Sequence, residues 1–106
     1  MSSCEEGEPY ALQVLDDSME PEFQKGCIII IDPTGLIEHD AYVLAHYEDD
    51  IVFRKLVVDN DNYLLRAENN TYNDLNFSEP KKNVKGIIVQ RAGKSRKYHK
   101  RYDKFS

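Results

Sequence analysis

Tryptophan is absent from this sequence, cysteine occurs only twice, and the longest purely apolar run is Cys27 to Ile31. A helical membrane span needs about 20 apolar residues, so none is expected. Two cysteines, Cys4 and Cys27, build no disulfide framework. Cys27 reads as a small buried hydrophobe. There is no C-x-x-C, no histidine pair one helical turn apart and no cluster of ligands, so neither a metal nor a cofactor is expected. Positive charge is missing from the first ten residues, which hold Glu5, Glu6 and Glu8. A secretory signal begins with a cationic segment, so a cytoplasmic protein is expected. Without a secretory route, the sequons at Asn69 and Asn76 carry no weight.

What is present fits one soluble globular domain. The chain has 106 residues, 41% hydrophobic and 31% charged. Its net charge of −5 is unevenly spread. Residues 1–80 hold 18 acids and 4 bases, whereas residues 81–106 hold 10 bases and 1 acid. An acidic body (1–92) followed by a basic tail (93–106) is the expected organisation, with the tail meeting an acidic partner. Tyr98, Tyr102 and Phe105 are spaced to share one face of a short helix, the alternative being a solvated tail.

Short strands separated by turn residues predict a mostly β fold, twisted and barrel-like. The expected strands are Tyr10–Leu15, Cys27–Asp32, Ala41–Tyr47, Ile51–Val58, Tyr63–Ala67 and Asn83–Arg91. Asp16 to Pro21 forms a polar turn around Ser18, and Phe23 anchors the loop that follows. Residues 68–80 form a long polar loop.

Ser18 by itself reads as a turn residue. Lys55 changes its standing. In the strand Ile51–Val58 alternate side chains share a face, so Ile51, Phe53, Lys55 and Val57 point the same way. Lys55 is then the lone polar group on an apolar face. Burial favours the neutral amine, and a neutral lysine can act as general base toward a serine hydroxyl. The bland alternative is a snorkelling lysine. A Ser-His-Asp arrangement using His39, His46 or His99 is weaker, because nothing around Ser18 resembles a nucleophile elbow.

Ser18-Met19-x-Pro21, Gly26 ahead of an apolar strand, and Lys55 within Val52-Phe53-Arg54-Lys55-Leu56 together resemble the LexA/UmuD family. Those are self-cleaving Ser-Lys peptidase domains, found also in phage repressors. Lys55 follows Ser18 by 37 residues, close to the family's spacing. Glu68-Asn69 with Tyr72, and Val84-Lys85-Gly86, fit its later pattern, so the resemblance runs from Val14 to Gln90. Cys27 departs from it, standing where the family usually has Asp.

The resemblance implies a compact, highly twisted, signal-peptidase-like β fold of six or seven short strands. It implies Ser18 as nucleophile, Lys55 as base and the backbone N–H groups of Ser18 and Met19 as oxyanion hole. It also implies a homodimer, with a role in the SOS response or phage transcriptional regulation. Relatives cut themselves at an Ala-Gly or Cys-Gly bond upstream of the serine. Here the only glycine before Ser18 is Gly7, preceded by Glu6, and no helix-turn-helix domain is expected. The expectation is therefore a processed form or a domain acting in trans on a protein or peptide. The rivals are a catalytically idle dimeric interaction module, and nucleic-acid binding through Lys94, Arg96, Lys97, Lys100 and Arg101.

Overall fold

The computed structural model describes residues 8–102, and its strands form a single antiparallel sheet. They are β1 (Tyr10–Gln13), β2 (Ile28–Asp32), β3 (Tyr42–Tyr47), β4 (Asp50–Asp59), β5 (Asn62–Arg66), β6 (Leu75–Phe77), β7 (Val84–Ala92) and β8 (Lys100–Arg101). One helical turn, α1 (Pro80–Asn83), leads into β7. The spatial order is β1-β2-β7-β3-β4-β5-β6, and β8 pairs with β7. Among the described residues no helix is long and apolar enough to cross a membrane.

β3 to β5 follow from local chemistry. Half of Asp50–Asp59 is β-branched or aromatic, Asn62–Arg66 brings Tyr63 and two leucines, and the two strands are joined by the polar pair Asn60-Asp61. Asn60 takes a left-handed conformation, which asparagine tolerates. Glu48 does the same in the β3–β4 hairpin, where Tyr47 pairs with Asp50.

The sheet is curved, and it buries residues on both faces. One core holds Val14, Met19, Phe23, Cys27, Ile29, Ile31, Leu44, Ala67 and Ile88. The other holds Val43, Ala45, Leu56, Leu65 and Phe77. β3 shows the division residue by residue: Val43 and Ala45 face one core and Leu44 the other, as period two requires. Register shifts at Ile30/Ile31 and Leu44/Ala45 interrupt the ladders on both sides of β7. Such irregularities sharpen the bend of a sheet.

Three local expectations are corrected. Leu75–Phe77, read as loop, pairs with β5 and buries Phe77. β1 is shorter than its alternation suggests and exposed along its length, because it lies at the sheet edge. The C-terminal stretch is neither a helix nor a solvated tail as far as Tyr102. It makes a 3-10 turn (Arg96–Tyr98), then β8 beside β7, and Tyr98 and Tyr102 pack on the first core. Phe105 lies outside the described residues.

Candidate functional site

The serine turn is the lid of the first core. Val14 N–H donates to Cys27 O at 2.8 Å and Gly26 N–H to Val14 O at 2.7 Å, closing the loop at its base. Gly26 has φ of +94°, where a side chain would strain the turn. Inside the loop, Phe23 N–H donates to Met19 O at 2.8 Å. Met19 and Phe23 are fully buried, and Phe23 meets Tyr42 and Phe53 edge to face at 4.8 Å. The segment after β5 clamps the turn from outside. Asn69 N–H donates to Ser18 O at 2.9 Å, and the Tyr72 hydroxyl donates to Asp17 Oδ1 at 2.6 Å. That bond raises the Tyr72 phenol above its usual range, with smaller contributions from burial and nearby acids.

Among the described residues Ser18 is the one buried polar side chain, with no exposed surface. Its hydroxyl donates to Asp16 Oδ1 at 2.8 Å and accepts from Arg54 Nη1 at 2.8 Å. Its N–H, expected to face an oxyanion, donates to the same Asp16 oxygen at 3.1 Å. Arg54 Nη1 also donates to Phe53 O at 2.8 Å, and the guanidinium carbon lies 5.6 Å from the Tyr72 ring centre. Among the described residues Arg54 has no carboxylate partner, and its Nε is buried without a hydrogen bond.

Lys55 is placed differently. It pairs across the sheet with Tyr42 and Arg66. Its Nζ lies 3.5 Å from Glu68 Oε2 and 5.5 Å from the Tyr42 ring centre. Tyr42 also donates its hydroxyl to Glu68. Burial first, then the Glu68 bond and charge, pushes the Tyr42 phenol far above its ordinary range. Of the face expected around Lys55, Phe53 packs on the first core, but Ile51 is exposed and the Lys55 side chain lies beside the Glu68 carboxylate. The structure therefore brings Arg54, rather than its neighbour Lys55, to the Ser18 hydroxyl. Strand alternation singled out Lys55 and gave no reason to look at the next residue. The signal for Arg54 was that same cationic pair, one position over.

A second polar cluster anchors the far side of the loop. Glu22 Oε2 accepts from the Tyr102 hydroxyl at 2.6 Å, Lys100 Nζ at 2.9 Å and Arg91 Nη1 at 3.2 Å. Arg91 also donates to the Glu22 carbonyl, and the Tyr98 hydroxyl does so at 3.3 Å. Burial pushes the Glu22 carboxyl up. The bonds from Tyr102 and Lys100 and the charges of Lys100 and Arg91 outweigh it, so the net shift is downward. Burial and the Glu22 contact push Tyr102 far above the usual phenol range. Burial likewise raises the Cys27 thiol.

The remaining sequence candidates lie elsewhere. His39 Nδ1 accepts from Val58 N–H at 2.9 Å, and His46 Nε2 lies 3.3 Å from Lys85 Nζ. His99 is exposed, directly after the 3-10 turn. Among the described residues no group of His, Cys, Asp and Glu is placed to hold a metal.

A family model described as peptidase S24-like matches residues 2–89, which include both the serine turn and β4. No curated protein matches the chain.

Proposed function

We propose a regulatory, protein-binding role without cleavage for this chain, which belongs to the peptidase S24-like family and has a LexA/UmuD-type peptidase domain. The observation that carries the proposal is the Ser18 hydroxyl held between Asp16 and Arg54, each at 2.8 Å. A guanidinium stays protonated and has no lone pair to offer, so Arg54 is no general base. Ser18 is fully buried, and its hydroxyl both donates and accepts a hydrogen bond within the chain. What remains is a rigid β domain of a family built for regulatory assembly. By that kinship it acts as a homodimer in SOS or phage transcriptional control, reached by fold-level inference.

A second reading is a Ser-Lys peptidase acting in trans. It is favoured by the adjacency of Lys55 to Arg54 on β4. Release of Arg54 and of the Glu68 contact lets Lys55 take over as base, with Ser18 as nucleophile and the N–H groups of Ser18 and Met19 on the oxyanion. One experiment separates the two. The chain is incubated with a proteome-derived peptide library, and cleavage is read by mass spectrometry for wild type, Ser18→Ala and Lys55→Ala. The regulatory reading expects no cut that depends on both residues. Cleavage lost in both variants establishes the peptidase.

A further inference from the structure

The basic C-terminal region has a groove that the serine site does not use. It measures about 780 Å³ and is lined by Lys25, Lys94 and Lys97 around Gln13, Gln24 and Tyr98, among others. Among the described residues no acidic side chain lines it. Its volume lies in the range of ligand-binding clefts. One wall is the end of the serine loop and the other is the turn after β7.

Three observations mark it as built. The turn is ordered by its own bonds: Lys97 N–H donates to Ser95 Oγ at 3.2 Å and Tyr98 N–H to Ser95 O at 3.0 Å. The walls are tied together by Gln24 N–H donating to the Tyr98 hydroxyl at 2.7 Å, with the Arg91 guanidinium 4.1 Å from the Tyr98 ring centre. Gly93 lets that ring lie close, since a Cβ there would meet Tyr98 Cδ2 at 2.8 Å. Finally, the cations around the groove are unspent. Elsewhere Arg66, Arg91 and Lys100 are paired with carboxylates, but among the described residues Lys25, Lys94, Arg96 and Lys97 form no ion pair. That is notable in a chain of net charge −5.

We infer that this groove binds an extended acidic segment of a partner protein, whose carboxylates meet Lys25, Lys94 and Lys97. Charge complementarity selects the ligand's sign. The surrounding body selects a short peptide over a nucleic acid: residues 1–80 carry 18 acids against 4 bases, which repels a long polyanion outside the groove. Such a peptide bridges the serine loop and the C-terminal turn, so binding steadies both. The inference stands apart from the Ser18 reading and survives whether or not the serine is active.

The test is fluorescence anisotropy on the full chain with a fluorescein-labelled glutamate-rich peptide at low ionic strength. A glutamine-for-glutamate peptide and a thymidine oligonucleotide serve as comparisons. The expected result is binding of the glutamate peptide alone. Binding should weaken about tenfold or more in Lys94→Glu/Lys97→Glu and persist in Lys81→Glu/Lys82→Glu. All five of these lysines are exposed, and thermal melts check that each variant folds. A Lys25→Glu/Lys94→Glu/Lys97→Glu variant should instead bind a lysine-rich peptide. The proposal is overturned if the glutamate peptide does not bind, or if both double variants weaken it equally. It is also overturned if the oligonucleotide binds more tightly with the same lysine dependence.

Discussion

Two arginines reach the serine loop from opposite ends, and they meet different company. Arg91 finds a carboxylate: Glu22, shared with Lys100 and Tyr102, so charge and hydrogen bonds close together. Arg54 finds a hydroxyl and a backbone carbonyl, and keeps one buried nitrogen without a partner. A partly buried cation with a paired carboxylate holds structure together. One without it is a cost to the fold, retained where something other than stability is at stake. The Glu22 corner therefore reads as the anchor of the loop, and the Ser18 corner as the end whose cation is left without a counter-charge.

The most disruptive way to break this comparison is to remove what joins the two corners. Phe23 packs between Tyr42, Phe53 and Tyr102, so Phe23→Ala should cost about 3–5 kcal/mol in urea unfolding. Both corners should loosen together in amide exchange. If the Ser18 turn kept its protection while the Glu22 corner lost it, the two would be independent.

Next comes Glu22→Ala, which leaves Arg91 and Lys100 without their carboxylate. A loss of about 1–3 kcal/mol is expected, discounted from a fully buried pair because Glu22 is 26% exposed. A neutral outcome would demote the anchor to a surface contact.

Acid titration sharpens the same corner. The folded Glu22 carboxyl lies below its ordinary value of 4.5. Its contribution is thus fully present above that value and is lost as pH falls through the lower folded value. Unfolding free energies across the acid range should show this step in the wild type and lack it in Glu22→Gln. An identical profile in the variant would assign the acid sensitivity to other carboxylates.

The smallest expected change is at Arg54. Because no carboxylate is stranded by its removal, Arg54→Met should alter stability by no more than about 1 kcal/mol, in either direction. A loss as large as that of Glu22→Ala would show that Arg54 is also an anchor, and the contrast between the two corners would fail.

Much of the sheet is legible from the chain alone. Val52, Phe53 and Leu56 alternate between the two cores as period two demands, and the Asn60-Asp61 pair turns β4 into β5. Phe23 is legible as the anchor of its loop, being one of only two large apolar residues, with Met19, in the polar stretch 16–26. Leu75–Phe77 was not, because three residues in an asparagine-rich segment carry too little pattern to outweigh their surroundings. Nor was the packing of Tyr98 and Tyr102. Their spacing suits a helix, yet β7 outruns β3 and leaves an edge at Gln90 and Arg91 that β8 fills.

The division has a physical basis. Strand periodicity, turn chemistry and the split between acidic body and basic end are properties of neighbouring residues, so they can be read in order along the chain. Which cation meets Ser18 is a property of residues 36 positions apart. Arg54 and Lys55 are adjacent, both cationic and both on β4, and nothing local ranks one over the other. The choice falls to the path of the loop from Val14 to Cys27 and to where Glu68 sits after β5. Glu68 takes the lysine, and the serine is left to the arginine.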